Sequence, residues 1–508
     1  MKANRSRPIV CRSEKKKEKS MMKNVEWKPD GQSGVPLYKQ IIHYIRGKIA
    51  RGEWPIGYKI PPERTLAEQF GVNRSTVTNA FAELAAEGLI EGKRGSGTRV
   101  INNTWTLLAA SAPPDWRAYV EAGAHRPNLS MIQRINEAEF VPGTIRLGTG
   151  EMSPDMFPSE MMALVLERTA RVMRPLGYEE PLGLYELREA VSQHVRLFGI
   201  QASPSAILIV SGALQALHFI SIGLLPRGSA ILLEKPSYLC SVRVFQSAGI
   251  RLAGIPEIKK PEMIPARLSH YKHKHKAALL YTIPSFHNPT GKVMSEEARQ
   301  QLMLSCEHER LPIIEDDVYG ELWLDEKPPA SLKARDKNGL VLYIGSLSKT
   351  LSPGLRIGWI IGPEPVIRRL ADIKMQTDYG SSSLSQWVAK EWLTSGLYGE
   401  HLTRIREQLR TRREMALTVL EKYMKGLADW EAPAGGFYVW LRLLIAPPLQ
   451  KLFESALRQG VLLNPGNIYD PGERERLRIS YAYASPAEFE EGVRRLARLL
   501  IEAGRRKQ

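Results

Sequence analysis

Five short apolar runs constrain what this chain can become: Ala206–Val210, Ala230–Leu233, Ala277–Tyr281, Pro312–Glu315 and Val341–Ile344. Brief continuous runs of this kind read as buried strands, and helical stretches separate most of them. That succession predicts an α/β domain with a mostly parallel sheet, whose crossovers cover both faces. From Leu384 onward the pattern is more helical and predicts a smaller C-terminal lobe, about 384–508. A chain of 508 residues is too long for one core, so two or three domains are expected.

The longest uncharged stretch, Ala206 to Pro226, is broken by Ser211-Gly212 and Gln215. A buried strand, a tight turn and a buried helix explain it better than a membrane span. No apolar core follows the charged N-terminus, so no secretory signal is expected. Cys11, Cys240 and Cys306 have neither metal-ligand nor redox-motif spacing, which fits a reducing cytoplasm. The formal charge of +17 suits a polyanionic partner. Residues 1–20 hold eight basic residues against two glutamates and, with the rest of 1–33, read as a disordered basic tail.

Beyond the tail the pattern changes. Leu37, Ile41, Ile42, Ile45 and Ile49 recur at helical spacing. Thr65 to Phe70 reads as a second short helix stopped by Gly71, and Asn73 caps a third through Val77, Phe81 and Leu84. Leu89-Ile90, a Lys93-Arg94-Gly95-Ser96-Gly97 turn and Thr98-Arg99-Val100 then predict a hairpin. Three helices and a hairpin over 34–101 make a winged helix-turn-helix. A recognition helix meets the major groove with its first turn, and Asn73, Arg74, Ser75, Thr76 and Asn79 are there. Lys59 and Arg64 flank the preceding helix for phosphates, and Lys93, Arg94 and Gly95 form the wing. The strings Lys59-Ile60-Pro61-Pro62-Glu63-Arg64, Gly71-Val72-Asn73-Arg74-Ser75-Thr76 and Gly95-Ser96-Gly97-Thr98 resemble the GntR-type winged helix, which implies a double-stranded DNA operator as partner. Pro62 departs from the family's usual serine and removes a hydroxyl and an amide donor.

Residues 102–146 read as a linker that ends by packing on the next domain, 147–508. There, four chemical needs of pyridoxal 5'-phosphate find candidates: an amine for its aldehyde, an acid for its ring nitrogen, donors to its ring oxygen and an anion cradle. Lys349 follows a strand and two small hydroxyl residues, Ser346 and Ser348, and Arg356 in Gly354-Leu355-Arg356-Ile357-Gly358 offers a bidentate cation for a phosphate. Asp316 or its neighbour Asp317 ends another strand, with Tyr319 three residues on; the local sequence barely separates the two acids. Asn288 lies in the loop Pro284–Gly291. Gly212, Ala213 and Leu214 open a helix after a strand, and backbone amides there form an anion site. Tyr238 is either a ring-stacking residue or a core aromatic.

Together these residues resemble the fold-type I aminotransferases. The resemblance implies Arg478 as clamp for an amino-acid carboxylate with Gly150 opposite, and Tyr178 reaching the phosphate of a partner subunit. Leu214 departs from the family's usual polar residue and loses one side-chain contact. His270, His273 and His275 alternate with lysines that repel a dication, so a solvated loop is expected and no metal.

A GntR-type winged helix followed by such a domain resembles the MocR family of bacterial transcription regulators. The implied protein is a cytoplasmic homodimer, nucleoid-associated when bound to DNA, whose large domain holds pyridoxal phosphate and senses an amino acid, an amine or the cofactor. Two other readings stay open: a working aminotransferase that also binds DNA, and a regulator with a catalytically dead dimerisation domain. Family analogy favours the first.

Overall fold

Apolar residues at helical spacing build a small N-terminal unit. In a computed structural model describing residues 27–93, 97–102, 116–123, 125, 127–174, 176–258, 260–445 and 447–505, the helix Leu37–Ala50 buries Ile41, Ile42, Ile45 and Ile49. They meet Leu66, Ala67 and Phe70 of the helix Glu63–Phe70 and Val77, Phe81 and Leu84 of the helix Arg74–Ala86. Each such aliphatic or aromatic side chain contributes about 1.5–3 kcal/mol on full burial. Gly71, left-handed at φ 67, turns the chain between the last two helices. Strands β1 (Ile90–Lys93) and β2 (Gly97–Val100) form an antiparallel hairpin, the wing. The helix Glu63–Phe70 follows Pro62 with no side-chain cap, as the missing serine hydroxyl foretells.

Part of the tail expected to be disordered is packed instead. Trp27 stacks on Tyr44 at 4.3 Å and meets Phe70 edge-on, while the Gln40 side chain binds Asp30 and Ser33. One indole supplies enough apolar surface to fix a polar segment. Residues 1–26 lie outside those described, as do Arg94 and Gly95 of the wing and residues 103–115 of the linker.

The chain divides into two compact units, residues 1–123 and 124–508. The second half of the expected linker belongs to the larger one. Its helix Ser130–Ala138 buries Met131, Ile135 and Ala138, and β3 (Ile145–Arg146) pairs in parallel with β13 (Val461–Leu462).

The apolar runs form a seven-stranded sheet: β4 (Ile207–Val210), β5 (Ala230–Lys235), β6 (Arg251–Pro256), β7 (Ala277–Thr282), β8 (Ile313–Asp316), β9 (Val341–Ser346) and β10 (Gly358–Ile361). Their spatial order is β4-β10-β9-β8-β7-β5-β6, with β10 alone antiparallel to its neighbours. The uncharged stretch is β4, the turn and the buried helix Ala213–Gly223, and no described helix is long and apolar enough to cross a membrane. A second, antiparallel sheet holds β11 (Ala428–Asp429), β12 (Tyr438–Leu443), β14 (Asn464–Pro465) and β15 (Arg476–Ser480) in the order β11-β12-β15-β14.

Two expectations need correction. The smaller lobe does not begin at 384. The helix Ser383–Thr394 packs Trp387, Val388 and Trp392 against the large sheet, and the lobe's core takes in Met131, Ile135 and Ile145 from far upstream. The 28-residue helix Leu397–Met424 joins both cores, with Tyr398 and Leu402 in one and Ile405 to Met424 in the other. The histidines of 270–275 are helical rather than in a loop. They end the helix Ile264–His275, where cationic groups complement the exposed carbonyls.

Candidate functional site

Strand ends and the loops after them bring the large unit's site residues together. Lys349 follows β9, and its Nζ donates to the Gly150 carbonyl at 2.6 Å. Asp316 closes β8, 2% exposed; its Oδ2 accepts from the Tyr281 hydroxyl at 2.7 Å, while Oδ1 is buried without a partner among the described residues. Burial pushes this carboxyl up to about 6, against the opposing pull of the Tyr281 hydroxyl, the Val318 amide and Lys349. Their neighbours separate the two acids, each of which has one oxygen on a tyrosine hydroxyl and the other buried without a partner among the described residues: Asp316 feels the charge of Lys349, Asp317 those of Glu315 and Arg299. Asp317 accepts from Tyr343 at 3.1 Å, and burial together with Glu315 pushes it well above the usual range.

Asn288 follows β7, and its Oδ1 accepts from Arg478 Nη1 at 2.8 Å. Arg478, on β15, also donates to the Gly148 carbonyl at 2.6 Å and lies over the rings of Tyr438 (4.1 Å) and Tyr469 (5.0 Å). The Tyr319 and Tyr438 hydroxyls are 2.9 Å apart. Gly150 keeps this space open, since a Cβ would fall 2.5 Å from the Tyr438 hydroxyl. Tyr238 is half-buried beyond β5, its phenol pushed up by burial and then by the charge of Asp316.

An anion cradle forms where β4 turns into the helix Ala213–Gly223. Gly212 has φ 91, and a Cβ there would meet Arg356 Nη2 at 2.9 Å. Arg356 is exposed, left-handed at φ 55, and donates to the Ser211 carbonyl. Nearby, Ser346 Oγ accepts from the Ser348 amide at 3.1 Å and lies 3.1 Å from the Ile357 carbonyl. Leu214 is 43% exposed in the first helical turn. Beneath, Gln215 accepts from the Ser211 amide at 2.7 Å and donates to Asp378 at 2.6 Å, and Asp378 is held by the buried Lys374. Tyr178 stands apart, 83% exposed and edge-on to Tyr379 at 4.8 Å.

These groups fit pyridoxal phosphate. The orphaned Asp316 oxygen faces no donor among the described residues, so a ring N–H would satisfy it. The Arg356 guanidinium and the amides after Gly212 make a phosphate cradle that a side chain at 212 would obstruct. Tyr281, Tyr438 and Tyr469, which hold Asp316 and Arg478, escape sequence reading because no motif contains them.

In the small unit, Asn73 caps the helix Arg74–Ala86 by accepting from the Ser75 amide at 3.3 Å. Arg74, Ser75 and Asn79 are exposed, Thr76 is partly so, and Lys59, Arg64 and Lys93 are exposed as well. The backbone of Lys59 forms an antiparallel bridge with that of Arg99 in the wing. Glu63 accepts from Thr78 at 2.9 Å and sits 3.5 Å from Arg74, so the acid steadies the helix's leading arginine.

The chain matches two families: aminotransferase class I and II over residues 142–496, and bacterial regulatory proteins of the gntR family over 37–100. Its larger unit thus belongs to the aminotransferase class I and II family. Kynurenine aminotransferase of Pyrococcus horikoshii, solved with PMP, is 29% identical over 76% of this chain and 98% of its own, with a TM-score of 0.71. LysN of Thermus thermophilus, an α-aminoadipate aminotransferase complexed with N-(5'-phosphopyridoxyl)-L-leucine, is 30% identical over 77% and 99%, with a TM-score of 0.69. YisV of Bacillus subtilis (strain 168), described as an uncharacterized HTH-type transcriptional regulator, is 54% identical over 93% of this chain and 97% of its own. The HTH-type transcriptional regulator NorG of Staphylococcus aureus (strain N315) is 35% identical over 84% and 96%. With both units matched, the whole chain belongs to the MocR type, in which a GntR-type helix-turn-helix precedes an aminotransferase domain.

Proposed function

We propose that this protein is a DNA-binding transcription regulator whose larger unit holds pyridoxal 5'-phosphate and responds to a small amino acid or amine. The observation that carries it is the pairing, in one chain, of an exposed basic first helical turn with an intact lysine pocket. Lys349 would bond the cofactor's aldehyde, and Asp316 would accept a hydrogen bond from the ring N–H and so keep that nitrogen protonated. Asn288 and Tyr319 would donate to the ring oxygen, and Tyr238 would stack on the ring. Gly212, Ala213 and Leu214 would offer backbone amides to the phosphate, beside Ser346, Ser348 and Arg356. When bound, the cofactor supplies an electron sink for bonds at an amino acid's α-carbon.

The chain's own residues set what enters. Arg478, steadied by Asn288 and two tyrosine rings, holds a carboxylate, with Gly150 leaving room opposite. Tyr178 would serve the pocket of a second copy in a homodimer. Lys59, Arg64, Asn73, Arg74, Ser75, Thr76, Asn79, Lys93, Arg94 and Gly95 would meet an operator, the first turn reading bases and the rest phosphates. This reading sets the protein in the bacterial cytoplasm, on the nucleoid when bound.

A second reading, a working aminotransferase that also binds DNA, is favoured by the retained Asn288–Arg478 pair. A spectral titration of the purified protein with amino acids and amines tests both. A reversible shift of the visible cofactor band for one ligand, without keto-acid release, is expected of a sensor. Keto acid accumulating over many turnovers selects the enzyme, and no visible band at all sinks the cofactor assignment.

A further inference from the structure

A second cavity, of about 820 Å³, lies between the large sheet and the small one, within the usual size range of small-molecule sites. Its walls include β5, β6 and β7, the helices Ile264–His275 and Glu296–His308, and the outer face of β12 and β15. It is not the lysine pocket, whose Lys349, Asp316 and Arg356 take no part in its lining.

Four cations and four acids line it, but two of the cations, Lys235 and Arg476, are held by acids from outside the lining. Every lysine and arginine there already has a carboxylate: Lys235 with Asp470 (3.0 Å), Lys292 with Glu257, Arg442 with Asp429 (2.5 Å) and Arg476 with Glu473 (3.8 Å). The lining acids with no lysine or arginine partner among the described residues are Glu234 and Glu431. Glu234 is held in place by neutral donors, with Oε2 accepting from the Thr282 hydroxyl at 2.9 Å and the Ile283 amide at 3.4 Å. His287 lies 3.6 Å away, but burial pushes its imidazole down, so it does not neutralise the acid. Two indoles, Trp430 and Trp440, complete the lining, and Trp440 Nε1 is a buried donor with no partner among the described residues. Aromatic faces and an uncompensated carboxylate on an apolar wall select a cation with a hydrophobic body.

We propose that this cavity is a second ligand site, for an amphipathic organic cation. Two of its lining residues adjoin residues of the lysine pocket. His287 lines the cavity while Asn288 holds Arg478; Trp440 packs edge-on to Tyr469, whose ring carries Arg478. An occupant therefore presses on the two residues that hold the carboxylate clamp, which makes the site a means of modulating it.

The test is calorimetry of the full-length protein with tetraphenylphosphonium and with tetraphenylborate, ions of one shape and opposite charge. One phosphonium per chain is expected, with the borate at least about tenfold weaker. Glu234→Gln and Glu431→Gln should each weaken the phosphonium; Glu431 is exposed, so its variant keeps the fold. Lys349→Ala should leave phosphonium binding unchanged. Equal binding of both ions, no saturable phosphonium binding, indifference to both glutamine variants, or loss of binding in Lys349→Ala would each overturn the proposal.

Discussion

Asp316 keeps one oxygen on Tyr281 and the other buried with no partner among the described residues. Folding raises its carboxyl from 3.8 to about 6, so the folded chain binds that proton more tightly than the unfolded one. The resulting stability is fully present below about pH 4 and is lost as pH rises through about 6, by on the order of 3 kcal/mol. In protein stripped of cofactor, Asp316→Asn should flatten the fall in thermal midpoint of the large unit between about pH 4 and 6.5. An unchanged slope would show that another group titrates there. Gly150→Ala would thrust a methyl toward the Tyr438 hydroxyl beside Arg478. The response to amino acids should weaken by about tenfold while the cofactor band stays, as titration of the band would show. Lys349 and Asn288 were legible because each stands in a short string with its own chemistry, whereas Arg478 entered only through the family resemblance. Asp316 was legible only as one of two adjacent acids; the charge of Lys349 beside it sets it apart from Asp317, which lies beside Glu315 and Arg299. Tyr281, Tyr438 and Tyr469 reach the site from separate stretches of chain, and their sequence neighbours are ordinary core residues.

At the level of elements, the buried parallel strands and the three small helices announced themselves through period and caps. Strands β12 and β15 did not. Each has one face in the core and the other, with Trp440, Arg442, Arg476 and Arg478, turned to the large sheet, a period-two alternation over only five or six residues that does not stand out among the helical stretches around it. The histidine-rich segment misled for another reason, since lysines and histidines are stable in a last helical turn only once the helix is there to orient its carbonyls. The cap on the recognition helix gives a direct test. Asn73→Ala removes the acceptor for the Ser75 amide and should cost about 1 kcal/mol of stability in the small unit, read as a lowered midpoint for that unit alone. Arg74→Ala should leave that midpoint in place and nearly abolish operator binding. Footprints like those of the wild type would mean another element reads the bases.

On the scale of the whole molecule, the exposed Tyr178 predicts subunit complementation. Mixing Tyr178→Ala chains with Lys349→Ala chains should restore one complete pocket in each mixed dimer. At limiting cofactor, the mixture should therefore bind more than the mean of the two preparations. A result equal to the mean would assign Tyr178 to its own chain's surface. The helix Leu397–Met424 has its ends in different cores, and residues 130–147 share a core with the C-terminal strands. Anyone building hybrid regulators from this chain inherits that arrangement as a rule of cutting. A graft that starts at the first strand of the large sheet leaves behind the helix and strand that seal the far lobe, whereas a junction ahead of residue 124 transplants the larger unit whole.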